Sequence, residues 1–154
     1  MKDQGIQPSN VTYSILIKIY GKSRNLNKAL SLIKEMKDRK IKPGLIVYTC
    51  LIQTCIKSNE IDIALQKFKE MNQDGIQGDS VTYATLLKGC LQFKKFKEAC
   101  DLYEEAYSQR ISIAPDLKNS LISQVQRSKD VTLLSRVTNM EKIGKPKYFE
   151  TNMP

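Results

Sequence analysis

The chain repeats itself, and no other property of it restricts the fold as tightly. Three segments of thirty-five residues superimpose without a gap: NVTYSILIKIYGKSRNLNKALSLIKEMKDRKIKPG from Asn10, LIVYTCLIQTCIKSNEIDIALQKFKEMNQDGIQGD from Leu45, and SVTYATLLKGCLQFKKFKEACDLYEEAYSQRISIA from Ser80. Tyr13, Tyr48 and Tyr83 fall in one column, and Ala29, Ala64 and Ala99 in another. Units that recur at such a period bury their apolar faces against their neighbours, so the architecture follows from what one unit is.

Each unit reads as two amphipathic helices. In the first half Tyr13, Leu16, Ile17 and Tyr20 lie three, one and three residues apart, which is one face of a 3.6-residue helix, and Tyr48, Leu51, Ile52, Cys55 and Tyr83, Leu86, Leu87, Cys90 repeat it. In the second half the column is Leu26, Ala29, Leu30, Ile33, Met36, repeated from Ile61 and from Phe96. Polar turns such as KSRN and KSNE separate the halves, and Pro43, Gly44, Gly75 and Gly78 punctuate the junctions. The expected fold is all-α, a solenoid of stacked helix-turn-helix repeats over 10–44, 45–79 and 80–114. Residues 1–9 match the end of a preceding repeat. Residues 115–139 are a worn fourth copy in which Lys118 replaces the column tyrosine, as expected of a capping repeat, and 140–154 are expected to form an extended tail.

Composition removes whole classes of function. There is no histidine, and Cys50, Cys55, Cys90 and Cys100 show no CxxC spacing, so the common zinc sites and the Ser-His and Cys-His nucleophile pairs are missing. The cysteines read as small core hydrophobes of a reducing compartment. No run of about twenty apolar residues is written here. Nothing asks for a cofactor, a metal or a small-molecule substrate. The formal charge of +9 points instead to a polyanionic partner.

The face of each first helix not used for the core carries its own column: Val11, Ser14, Lys18, Lys22, then Ile46, Thr49, Gln53, Lys57, then Val81, Ala84, Lys88, Gln92. The spacing is three, four and four, a straight stripe, and stacking would align the stripes into a groove. It offers an aliphatic side chain against which a base can lie, a small polar group for a base edge, and lysines for phosphates. The same lysines are equally what the solvated side of an amphipathic helix contains.

The period, the openings VTYSILI, IVYTCLI and VTYATLL, the ending ALSLIKEMKDRKIKPG and the alanine column together resemble the pentatricopeptide repeat family over residues 1–139. That resemblance implies binding of single-stranded RNA at one nucleotide per repeat, the base being chosen by the residue after the tyrosine together with the last residue of the repeat. On this chain the implied pairs are Ser14 with Gly44, Thr49 with Asp79, and Ala84 with Ala114 by strict spacing or Asp116 by motif. Val11, Ile46 and Val81 would pack on bases, and Lys22 and Lys57 would meet phosphates, to which the stripe itself adds Lys18 and Lys88. Thr49 with Asp79 is the pairing that the family uses for guanine; the other two depart from its pattern.

The resemblance also implies an organellar setting, mitochondrial or other, in RNA processing or a ribonucleoprotein, although MKDQGIQPS carries no transit-like signal. An array whose base-reading positions have degenerated would instead serve as a protein-binding scaffold within a larger assembly such as a mitochondrial ribosome. A catalytic domain elsewhere on a longer protein, as in protein-only RNase P, is a third arrangement. No residues here could perform that step, since Asp62, Asp101, Glu104 and Glu105 read as surface positions on second helices.

Overall fold

The structure is a computed structural model and describes residues 9–143. It contains eight helices and, among the described residues, no strand. They are α1 (Asn10–Lys22), α2 (Leu26–Asp38), α3 (Leu45–Lys57), α4 (Ile61–Gln73), α5 (Ser80–Gln92), α6 (Phe96–Ser108), α7 (Pro115–Ser128) and α8 (Val131–Ile143). The odd-numbered helices thus begin thirty-five residues apart.

Local chemistry sets the starts. Ser9 caps α1 by accepting from the Thr12 N–H, Asn25 caps α2 by accepting from Lys28, and Pro115 opens α7, where its missing N–H costs nothing. The ends repeat too. Arg24, Asn59, Lys94 and Lys129 after the first helices, and Lys40, Gly75 and Arg110 after the second, all adopt the left-handed conformation. In the second-helix series the chain closes with a six-to-one hydrogen bond, from Ile41 N–H to Met36 O (2.8 Å), Ile76 to Met71 (3.0 Å) and Ile111 to Ala106 (2.8 Å). Each bond also brings together two apolar side chains that close the turn.

The columns read from the sequence form the core. Tyr13, Tyr48, Tyr83, Ile17, Ile52, Leu87, Met36, Met71 and the three column alanines are buried, and Phe68 meets Tyr83 edge-on with ring centroids 5.4 Å apart. Each first helix packs on the second helix of its own repeat and on the first helix of the next, α1 on α3, α3 on α5 and α5 on α7. Small residues allow this approach: a Cβ on Gly21 would stand 2.7 Å from Thr54 Oγ1, and one on Gly89 would stand 2.8 Å from Ile56 Cδ1.

The backbones of α2 and α4, and of α4 and α6, stay farther apart. Long side chains reach across instead: Lys37 lies 3.5 Å from Glu70 and 3.8 Å from Asp74, and Lys95 lies 3.4 Å from Asp62. At the first two junctions the first helices thus pack more closely than the second ones. At the last junction α6 and α8 do pack together, and Arg136 grips Glu104 through Nε (2.9 Å) and Nη2 (2.8 Å) and Asp101 through Nη2 (2.6 Å).

One expectation changes. Helix α8 runs through Ile143, so residues 140–143, expected to be extended, are helical; the rest of the expected tail, 144–154, lies outside the described residues, as do 1–8. The worn fourth copy is a complete helix pair, because Leu117, Leu121, Val125, Leu133 and Val137 preserve its buried seam although the tyrosine is lost.

Candidate nucleic-acid interface

Helices α1, α3 and α5 contain Lys18, Lys22, Lys57 and Lys88, all exposed, and no acidic residue. The acids of these three repeats sit on the second helices and in the turns, where Glu35, Asp62, Glu70, Asp74, Asp101 and Glu104 take part in the ion pairs of the outer layer. The helical surface of the inner face is therefore positive, with the carboxylate of Asp79 beside it at the N-cap of α5. Such a surface concentrates a polyanion.

At the second position of each of these helices stands an aliphatic side chain turned to water: Val11 is 66% exposed, Ile46 65% and Val81 54%. An exposed aliphatic recurs at this one position in each of these repeats, and Ile15 and Ile19 of α1 are exposed as well. Gln53 is half-buried and Gln92 exposed on the same stripe.

The residue that closes each repeat is the N-cap of the next first helix, since Ser9, Gly44, Asp79 and Ala114 hold that place for α1, α3, α5 and α7. The position equivalent to Asp79 in the last junction is accordingly Ala114, with no side-chain cap, and Asp116 lies exposed one step inside the first turn of α7. Its counterpart across that junction, Ala84, is half-buried and has no polar group to offer.

At the first junction Ser14 is only 5% exposed and gives its hydroxyl to Val11 O (2.8 Å). The stripe placed it on the open face; the structure places it under that face, and this is a correction. Gly44 brings no side chain. Its N–H donates to Asn10 Oδ1 (2.6 Å) while Asn10 Nδ2 donates to Lys42 O (3.1 Å), so an amide from α1 occupies the space beside Gly44.

At the middle junction the two implied residues are brought together. Thr49, half-buried, bonds Leu45 O at 2.8 Å, and its Oγ1 lies 3.3 Å from Thr82 Oγ1. Thr82 in turn gives its hydroxyl to Asp79 Oδ1 at 2.9 Å, and that same oxygen accepts the Thr82 N–H at 2.9 Å. Asp79 and Thr82 form a capping box at the start of α5. The Thr82 N–H, reinforced by the Thr82 hydroxyl and the N–H groups of Asp79 and Val81, holds the Asp79 carboxyl below the usual carboxylate range despite partial burial, so it is ionised at neutral pH.

Asn10, Thr82 and Arg136 were not singled out from the sequence. The spacing of Asp79 and Thr82 was a readable capping signal, whereas nothing in a single repeat marks Asn10 or pairs Arg136 with acids a repeat away. The cysteines are inert as nucleophiles: burial pushes the Cys55 and Cys90 thiols up to about 12 and Cys100 up to about 11. Among the described residues no cluster of His, Cys, Asp or Glu is arranged to hold a metal, and no helix is long and apolar enough to cross a membrane.

Comparison with known proteins places this geometry. The pentatricopeptide repeat domain matches residues 1–58, the PPR repeat family 43–92 and the PPR repeat 81–109. No curated protein matches the sequence. The chain is similar in fold to the pentatricopeptide repeat protein PPR10 in complex with an 18-nt psaJ RNA element, with a TM-score of 0.68 and 22% identity over 92% of this chain and 22% of that one. It is also similar to PPR10 from maize (TM-score 0.71, 21% identity, 91% and 22% covered). The PPR domain of Arabidopsis thaliana protein-only RNase P 1 in complex with tRNA gives a TM-score of 0.75 at 15% identity, with 97% of this chain and 83% of that one covered. The chain thus spans 22% of the PPR10 chains. With the thirty-five-residue helix pairs, the tyrosine and alanine columns and family matches that together span residues 1–109, the chain belongs to the pentatricopeptide repeat family.

Proposed function

We propose that the chain is a single-stranded RNA-binding module that holds the strand along the inner face of α1, α3 and α5. The observation that carries this reading is that these helices are free of acids and hold exposed Val11, Ile46 and Val81 together with exposed Lys18, Lys22, Lys57 and Lys88. Bases lie against the aliphatics and the lysines meet phosphates. The RNA complexes formed by PPR10 and by the PPR domain of the RNase P support it. Base reading belongs to the Thr49 and Asp79 pair, which favours guanine, and the setting is a longer array in organellar RNA processing or a ribonucleoprotein.

A salt titration of binding to a single strand tests the reading. Four phosphate contacts predict a slope of log affinity on log salt near about −3. Replacing the four inner lysines with Gln should flatten that slope, while Gln at Lys28, Lys34, Lys67 and Lys69 of the second helices should leave it. Equal loss from both sets would show a diffuse field without a groove.

A second reading, a scaffold that binds protein within an assembly, is favoured by a specific observation. Two of the three junctions present no polar pair, since Ser14 is buried and Gly44 has no side chain, while Ala84 and Ala114 have no polar side-chain group. Binding insensitive to both salt and base identity would put this reading first.

A further inference from the structure

Asp79 and Thr49 are not independent at the middle junction, because one hydroxyl joins them. Thr82 is fully buried, and its Oγ1 lies 2.9 Å from Asp79 Oδ1 and 3.3 Å from Thr49 Oγ1. A hydroxyl has one proton, and a carboxylate has none to give, so in the shorter contact Thr82 is the donor. Toward Thr49 it can then only accept. The single proton of Thr49 has two protein acceptors, Leu45 O at 2.8 Å and Thr82 Oγ1 at 3.3 Å, and whichever takes it, Thr49 turns lone pairs to the groove. The side chains that would meet a base there are thus acceptors only.

We propose that Thr82 is a positioning residue for base selection: its one hydroxyl, bonded to Asp79 Oδ1 and 3.3 Å from Thr49 Oγ1, fixes the spacing of these two hydrogen-bond acceptors, which selects a base edge with two adjacent donors. Among the four bases guanine alone has that edge, in N1–H beside the N2 amino group, whereas adenine places an acceptor next to its amino group. This rests on the RNA-binding reading above and adds a residue that touches no base. Two repeats earlier the equivalent Thr12 stands 3.4 Å from the hydroxyl of the N-cap Ser9, where there is no carboxylate. Position 47, equivalent one repeat earlier, is a fully buried valine, and position 117 is a buried leucine.

Val47 also shows that this place in the repeat accepts valine, so Thr82→Val removes the hydroxyl without removing the packing. The experiment measures binding of the full chain to short uridine oligonucleotides carrying one guanine or one adenine, and reads the ratio of the two affinities for the parent, Thr82→Val, Thr82→Ser and Asp79→Asn. The parent is expected to favour guanine by about tenfold, as one good base contact does. Thr82→Val should bring the ratio down at least severalfold toward unity with little change in overall affinity, and Thr82→Ser, which keeps the hydroxyl, should restore it. A parental ratio in Thr82→Val would overturn the role of Thr82, and a shifted ratio in Asp79→Asn alongside it would leave base reading by Thr49 and Asp79 standing. A parent with no preference would remove base reading and the role of Thr82 together.

Discussion

Tyr48 gives its hydroxyl to the carboxylate of Asp74, tying the first turn of α3 to the end of α4 within one repeat. One repeat earlier the residue at the place of Asp74 is Arg39, which has no acceptor to offer and is paired with Glu35 at 3.0 Å. The Tyr13 hydroxyl is buried without a hydrogen-bond partner among the described residues. Tyr83 gives its hydroxyl to Gln109 Oε1 at 3.4 Å, so the tyrosine column contains two bonded hydroxyls and one orphaned. Tyr48→Phe should cost about 1.5 kcal/mol, the low end for a bond to a charged group because Asp74 regains water, and Tyr13→Phe should be neutral or slightly stabilising. Urea unfolding of the two variants checks the contrast, and equal losses would contradict it.

The left-handed ends give a prediction of opposite sign. Lys40 has φ 59° and Arg110 φ 59°, where Gly75 at the equivalent place has φ 80°. A side chain in that region is strained, and glycine at this cap relieves it. Lys40→Gly should stabilise by about 0.5–1 kcal/mol net of its greater freedom when unfolded. The urea midpoint should rise with the slope unchanged; a fall would mean that the lysine contributes more through contacts than its backbone loses.

Ala64 is fully buried in the alanine column between the two helices of the middle repeat and its neighbours. Ala64→Leu should overpack that place and cost about 1–3 kcal/mol. Because each repeat leans on the next, thermal unfolding should shift as a whole and not lose one helix pair alone. An unchanged midpoint would show the column to be open.

Asp79 carries a pH dependence whose sign is fixed. Its carboxyl is held below the usual range in the folded chain, so its contribution is complete above the unfolded value of about 3.9 and is lost as pH falls through the folded one. Asp79→Asn retains an oxygen for the Thr82 N–H and hence the cap, but has no carboxyl to protonate there. The stability difference between parent and variant should be constant above about pH 5 and shrink on acidification. Asp79→Ala, by contrast, should cost about 1 kcal/mol at neutral pH through loss of the cap. A parent-to-asparagine difference that does not vary with pH would contradict the depressed value.

The same Asp79→Asn exchange reports on function, and the cap makes the result clean. If Asp79 is an acceptor for guanine, the amide should move preference toward adenine by about 1–3 kcal/mol without unfolding α5. Strands differing at one nucleotide measure this, and an unchanged ranking of bases would leave the scaffold reading ahead.

The helix pairs were legible because each buried column recurs three times, so that chance matches at Tyr13 or Ala29 are excluded by Tyr48 and Ala64. The open face was legible only in part. Val11, Ile46 and Val81 emerge where the stripe put them, but Ser14, Thr49 and Ala84 share one column and differ in exposure, since a position at the border of the groove is open or closed according to what the next repeat lays beside it. Helical spacing carries no information about that neighbour. Nor does it tell which way a hydroxyl points, and this is why Ser14 turning to Val11 O and Thr82 turning to Asp79 had to be seen in the structure.

The uneven outer layer has a mechanical consequence. Where α2 and α4 are joined through Lys37, the outer layer resists a change of pitch only through an exposed ion pair, which salt weakens. Where Arg136 holds two acids and α6 packs on α8, the same change must break a fork of hydrogen bonds and slide packed helices. The outer layer is thus tied by salt-sensitive side chains at its first two junctions and by packed helices at its last, so raised salt should loosen the former and leave the latter.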